Sequence, residues 1–408
     1  MPTVARIRRL PATVQLLLAS FFLFNVGFYL VVPFLAGHLG ALGMTGAMIG
    51  LVLGLRTFSQ QGMFFVGGAL SDRFGARRMI LSGIAMRVVG FVVLAFAGGV
   101  VSVVVGTVLT GFAAALFAPA VESTDAAWGR RLEDDGVLPR AELFGLEQMC
   151  SRAGNVVGPA LGAALIWAPF GAVTLASALL FVGMWVGFWR LLPHDAAPGD
   201  AGAKLAVAWR TVTGNGRFML LAAFGSVQLG AYGLIYIVLP VELLRAGKQA
   251  WLGWVFAGAA VIVIVGQPAA VAVGRRLGRR RAVGWGLGVM GASFVIPATT
   301  AAHPDGRHLA AVIAWIAVLH LGQMLLVPPL RDAVGILARE RNLGAHYGML
   351  ATLGGAASLV ASLAVGWGYD RVADGAPAWL GWAAVAAIAM VAAVGLRAVT
   401  PQAGPVSA

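Results

Sequence analysis

Twelve windows of about twenty mainly apolar residues, separated by short polar connections, leave this chain few ways to fold. They lie near 13–35, 46–68, 78–98, 101–121, 144–166, 170–190, 217–239, 251–273, 282–300, 309–328, 347–366 and 378–397. A helix needs about 20 residues to cross roughly 30 Å of hydrocarbon, and in lipid every backbone polar group must find a partner within the protein. The expected fold is therefore an all-α membrane protein with twelve transmembrane helices. Only 11% of the residues are charged, against about 25% in soluble chains, which excludes a soluble domain. The first window is too long, and too polar in its middle (Asn25, Tyr29), for a signal-peptide core, and no small-residue cleavage site follows it. It reads as the first span.

A net charge of +13 in a soluble protein would suggest nucleic acid. Here the basic residues sit in the connections between spans, so the expected surroundings are lipid and no nucleic acid. With the N-terminus inside, the inner connections carry 22 of the 29 Lys and Arg residues and the outer ones carry 4 (Arg245, Lys248, Arg307, Arg371). That asymmetry predicts both termini in the cytoplasm. The remaining three, Arg56, Arg87 and Arg152, lie inside spans. The single cysteine, Cys150, excludes a disulfide framework, and no Cys/His spacing suggests a metal.

The longest polar stretch, 191–216, divides the spans six and six. It predicts an N-terminal half over 1–190, a cytoplasmic linker with a short interfacial helix around Lys204–Arg210, and a C-terminal half over 217–408. The halves echo each other. Arg275–Arg281 follows span eight as Asp72–Arg78 follows span two, at an offset of 203. Tyr29 and Pro33 correspond to Tyr236 and Pro240, and Pro119 to Pro328, at offsets of 207 and 209. A duplicated six-helix unit accounts for this order, and such repeats place the substrate site near the midplane.

Three groups of residues stand out. The turn after span two reads G-x-L-x-D-R-x-G-x-R-R over Gly68–Arg78, with Gly75 permitting the turn and Arg73, Arg77 and Arg78 marking an inner loop. Asp72 gains nothing from that rule. Span five carries Gly154, Gly158 and Gly162 at four-residue spacing, with Pro159 beside them, which makes one smooth helix face for close approach. A charge near the bilayer centre costs about 2.5–3.5 kcal/mol on the insertion scale, so Arg56 (with Gln60 one turn on), Arg87 and Arg152 are expected to face a cavity or a partner. Glu122 and Glu147 are the favoured partners and candidate proton sites. In the second half His320, which titrates near neutrality, shares a face with Gln323, as Gln228 does with Tyr232. Asn25, Tyr29, Gln228, Tyr232, Tyr236 and Gln323 are the candidate substrate-pocket residues, with Phe21, Phe24 and Phe28 as greasy neighbours.

The Gly68–Arg78 turn resembles the loop 2–3 signature of the major facilitator superfamily of secondary transporters. The resemblance implies that Asp72 latches the two halves by facing a helix N-terminus, a contact of roughly 0.3–1 kcal/mol, or about 2 when partly buried. The second copy has Arg275 at that place, so one such latch is expected. The span-five glycines with Pro159 resemble the antiporter motif of drug:proton exporters. Those exporters usually carry an arginine where this chain has Thr107, four residues before Gly111, which leaves the coupling residue open. The stretch 46–90, with Arg56, Gln60, Gln61 and Arg87, looks like the MdtH group of bacterial multidrug-resistance exporters. This implies a multi-pass inner-membrane protein that exports amphiphilic, often cationic, small molecules in exchange for protons. A monomer without cofactor or metal is expected.

An uptake carrier for a metabolite is the nearer alternative, and a membrane enzyme the more distant one. The acids Glu133, Asp134 and Asp135 lie in one loop with no second acidic cluster, and no H-E-x-x-H, G-x-S-x-G or phosphate-binding G-x-x-x-x-G-K motif is present. If Asp72 is the latch, Asp72→Asn will insert normally yet slow transport severely. Normal flux at matched expression refutes that assignment.

Overall fold

The computed structural model describes residues 7, 10–193, 209–301, 306–339 and 343–402. All regular structure among them is helical. The helices are α1 Ala12–Ala41, α2 Gly46–Gln61, α3 Phe64–Phe74, α4 Ala76–Ala95, α5 Val100–Asp134, α6 Arg140–Ala164, α7 Phe170–Leu191, α8 Gly216–Gly233, α9 Ile235–Arg245, α10 Leu252–Leu277, α11 Arg279–Ser293, the short α12 Val295–Ala298, α13 Gly306–Leu337, α14 Leu343–Ala373 and α15 Trp379–Val399. Each of the twelve apolar windows falls on helix. Ten helical stretches are long and apolar enough to cross a bilayer. The other two windows differ for identifiable reasons. Span two is broken at Gly62 and Met63 into α2 and α3, and span five, α6, carries Arg140, Glu142, Glu147 and Arg152. Of the expected linker helix, Trp209–Thr213 is helical, and 194–208 lie outside the described residues.

The chain forms two compact units, Met1–Pro33 with Val66–Ala203, and Phe34–Phe65 with Lys204–Ala408. The sequence division put 34–65 in the first half; in space this stretch packs with the second unit. The reason is a seam of small residues. A side chain at Gly46 or Gly50 would collide with the backbone carbonyls of Gly366 and Ser362 on α14, so α2 and α14 touch backbone to backbone. Helices in lipid associate through such close van der Waals contact rather than a hydrophobic driving force.

Within each unit the same pairs recur. In the first, α4 packs on α5 and on α7; in the second, α11 packs on α13 and on α15. The turns that lead into α4 and α11 match as well. Gly75 has φ 87° and ψ 146°, and Gly278 has φ 75° and ψ 153°, a conformation that favours glycine. Two residues beyond each glycine an arginine caps the last helix of its unit. Arg77 Nη2 donates to the Trp189 carbonyl at 2.6 Å and Arg280 Nε to the Arg397 carbonyl at 2.8 Å. A cation at a helix C-terminus satisfies an orphan carbonyl and complements the helix dipole. The repeat read from sequence is thus a repeat of local chemistry.

In the first unit α1 lies on α6 through the glycine face. A Cβ at Gly154 would stand 2.5 Å from the Phe22 carbonyl oxygen, and one at Gly158 would stand 2.8 Å from Tyr29 Cβ. Ala160 points about 200° away from Gly158 on the same helix. We expect Gly158→Leu to destabilise by about 1–3 kcal/mol through overpacking and Ala160→Leu by about 0.5 kcal/mol or less, read as thermal unfolding in detergent. Equal losses would remove the packing role of the glycine face.

Candidate functional site

The first unit gathers its polar residues where α1, α5 and α6 meet. Asn25 donates through Nδ2 to the Phe21 carbonyl at 2.7 Å and to Ser151 Oγ on α6 at 3.1 Å. Tyr29 sits against Gly158 and meets the Phe28 ring edge-on at 4.9 Å. Asn25 therefore serves the helix contact, while both residues stay half-buried. Gly162 and Pro159 are buried on the same helix.

Near the start of α6, Glu147 is 7% exposed and faces Asp125 of α5, which is 1% exposed. Glu122, one turn before Asp125, is exposed and within electrostatic reach of Glu147. Two carboxyl groups facing each other with little water resist ionising together, because like charges repel and burial disfavours charge. Sequence reasoning named Glu122 and Glu147 but missed Asp125. The available signal was its spacing of three from Glu122, which puts both on one helix face.

Arg87 is fully buried at 2% exposure. Its guanidinium lies 4.0 Å from the Phe24 ring centroid and 5.2 Å from that of Phe181, and Nη2 donates to the Thr110 carbonyl at 3.1 Å. This is a cation–π enclosure, a kind of partner the sequence reading did not foresee. Arg56, 5% exposed on α2, donates through Nη2 to Gln60 Oε1 at 2.7 Å, as the one-turn spacing suggested. Arg152 is half-buried on α6. Thr107 is buried and returns its hydroxyl to the Val103 carbonyl of its own helix at 2.7 Å. On α3, Arg73 is exposed with its guanidinium over the Phe74 ring and Gly68 has open space around it, while Arg78 is exposed in the first turn of α4, so that only Gly75 of the expected turn is non-helical. The side chain of Asp72 lies outside the described residues.

In the second unit three of the sequence-named residues come together. Tyr232 of α8 meets the Tyr236 ring of α9 at 6.2 Å and the His320 ring of α13 at 5.6 Å, and Tyr236 stacks on Phe256 at 5.4 Å. His320 Nδ1 donates to the Ile316 carbonyl at 2.7 Å, which leaves Nε2 to accept in the neutral ring. Gln228 Oε1, one turn before Tyr232, is buried with no hydrogen-bond partner among the described residues. Gln323, one turn beyond His320, is half-buried.

Residues 17–251 match the Major Facilitator Superfamily. The chain belongs to this family of secondary transporters, and it is a multi-pass membrane transport protein, not an enzyme. It is 32% identical to an uncharacterized MFS-type transporter of Mycobacterium tuberculosis, covering 94% of this chain and 92% of that one. It is 30% identical to the multidrug resistance protein MdtH of Sodalis glossinidius (85% and 83% covered), and 27% identical to MdtH of Yersinia enterocolitica (91% and 90% covered). Among solved structures, a point mutant of the nucleoside transporter NupG superposes with a TM-score of 0.79 at 12% identity, over 96% of this chain and all of that one. A POT family transporter bound to 5-aminolevulinic acid gives 0.76 at 13% identity, over 96% of each. These two show the shared fold.

The enclosure of Arg87 generates a direct test. A desolvated cation–π contact is worth about 2 kcal/mol, and lysine cannot reproduce a flat guanidinium against a ring. Arg87→Lys and Phe24→Leu are each expected to cost about 1–2 kcal/mol in thermal unfolding, with less than additive loss in the double variant. Additive losses would mean that the two side chains do not interact.

Proposed function

We propose that this transporter is a proton-driven exporter of amphiphilic, often cationic, small molecules, acting as a monomer in a bacterial inner membrane with both termini cytoplasmic. The observation that supports proton coupling is the buried Asp125–Glu147 pair, two acids that face each other across α5 and α6. With both ionised, two adjacent negative charges sit with little water around them, which is costly; taking up one proton relieves that cost. Such a pair binds and releases a single proton as its surroundings open and close. The relatives named as multidrug resistance proteins support the cargo class, and the Gly154–Gly162 face with Pro159 supports exchange over uptake.

In this reading Glu122 is the route by which protons reach the pair, and Arg56, Gln60, Arg87 and Arg152 tune the field in which it titrates. Asp72 with Gly68, Arg73, Gly75, Arg77 and Arg78 forms the inner latch. Tyr232, Tyr236 and His320 offer the cargo aromatic faces suited to a cation, Gln228 offers an unfilled acceptor, and Asn25, Tyr29 and Gln323 are further contacts.

Proteoliposomes loaded with a fluorescent amphiphilic cation test this. An imposed pH gradient is expected to drive uphill movement of the cation with counterflow of protons. Glu147→Gln, or Asp125→Asn, should reduce the gradient-driven rate at least tenfold while cation binding stays within a few-fold of wild type. Cation flux indifferent to the gradient in the wild-type protein ends the proton-exchange reading.

A further inference from the structure

A cavity of about 520 Å³ lies where the ends of α9 and α14 meet the starts of α13 and α15. Every residue that lines it belongs to the second unit. Its lining does not include Tyr232, Tyr236 or His320, and a carrier built from two halves places its transport site between them. This cavity is therefore a separate space, within the range of about 300–1,000 Å³ that holds small ligands. Most of the lining is apolar, with the aromatic side chains Phe294 and Trp382 among it. The polar lining is one cluster of Glu242, Arg245, His308 and Tyr369.

At the centre of that cluster is an acid with little water around it. Glu242, near the end of α9, is 4% exposed, and the transport reading leaves it unused. Tyr369 of α14 donates its hydroxyl to Oε1 at 2.7 Å. His308 of α13, itself buried, holds Nε2 at 3.4 Å from Oε2, longer than the usual N–H···O range of about 2.7–3.2 Å. Arg245 approaches Oε1 at 3.5 Å from its own helix, but its side chain is 42% exposed. An ion pair with so exposed a partner is worth little, because water screens it. A buried carboxylate needs a paired charge and hydrogen bonds, and it offers about four acceptor sites. One neutral hydroxyl, one long imidazole contact and one screened guanidinium leave it under-compensated.

The remaining lining selects the sign and shape of a ligand. The Arg245 guanidinium lies 4.6 Å from the Tyr369 ring centroid, so it is already engaged by a ring as well as by Glu242. An anion drawn to it would be brought beside a buried acid of like charge. A cation with several N–H donors meets the reverse situation. Trp382, 9% exposed, stands edge to face with His308 at 6.4 Å between ring centroids, so an aromatic wall begins beside the acid. Aromatic faces attract cations, and the valines and alanines of the lining suit an apolar body.

We propose that this cavity is a binding site, distinct from the transport path, for a primary ammonium group that carries an apolar chain or ring. The ammonium donates to Glu242 beside Trp382, and the apolar part fills the space bounded by Phe294 and the aliphatic side chains. The site holds whatever ion drives transport and wherever the transported molecule sits.

Isothermal titration of full-length protein in phosphatidylcholine nanodiscs tests this with two probes, phenylbutylamine and its uncharged match phenylbutanol, after subtraction of empty discs. The amine is expected to bind with a Kd below about 1 mM, and the alcohol at least tenfold more weakly. Glu242→Gln should weaken amine binding at least tenfold. Gly368→Leu should do the same by filling the space, since Gly368 lines the cavity and a Cβ there meets nothing within 4 Å. Arg245→Gln should tighten binding by removing a competing cation. Should Glu242→Gln not insert, the alcohol and Gly368→Leu decide the matter. Absence of saturable amine binding overturns the proposal, as does binding that survives Gly368→Leu, which sits in lipid or at the aromatic group around Tyr232. Alcohol that binds as tightly as the amine marks an apolar cavity only, and loss of binding in Arg245→Gln makes the guanidinium the anchor; either result overturns it too. The readout is binding without a gradient, so its failure is separate from failure of proton-driven export.

Discussion

Close backbone approach between helices is the constraint on which this structure depends. Lipid tails are as apolar as leucine, so burying leucine against leucine gives a membrane helix little preference for another helix. Contact must come from shape. Glycine supplies it at α1 against α6, where Gly154 and Gly158 admit Phe22 and Tyr29, and at α2 against α14, where Gly46 and Gly50 meet Gly366 and Ser362. At that separation side chains on flanking turns reach the opposite backbone. Asn25 can then bond Ser151, and Asp370 can cap α2. The small residues and the polar contacts form one design: the first creates the distance at which the second can act.

Charge inside the bundle follows from the same economy. The buried acids and arginines are engaged, and the engagements differ in kind. Arg87 rests on aromatic faces, Arg56 bonds its neighbour one turn away, Asp125 and Glu147 face each other, and Glu242 collects a tyrosine, an arginine and a histidine. The first two are held by groups that do not titrate near neutrality, which suits structural roles. The last two bring together side chains that carry ionisable protons.

Acid at a helix N-terminus was expected at Asp72, on the strength of a resemblance. The described residues show that chemistry at Asp370, which no motif marked. Its neighbours Tyr369 and Trp367 look like ordinary aromatic residues near a helix end, and an aspartate there reads as a solvated terminus. Only the approach of α2, allowed by Gly366, turns that carboxylate into a cap. Asp125 is a similar case. Its partner Glu147 lies twenty-two positions on, across a loop, and the pairing depends on how α5 and α6 meet.

The amino-acid sequence by itself determined the class of fold, the positions of the helices and the repeat. These follow from chain length in lipid and from the need to pair every backbone group locally, both of which are read one segment at a time. It also located the turn glycine Gly75 and the smooth face of α6, because those are local stereochemistry. Tertiary structure alone decided that 34–65 packs with the second unit, that Arg77 and Arg280 close the ends of α7 and α15, and that Tyr232, Tyr236 and His320 form one aromatic group. Each of these is a meeting of segments far apart in the chain. Hydropathy says which residues enter the membrane, but it is nearly blind to rotation about a helix that is apolar on every side, and rotation is what chooses neighbours.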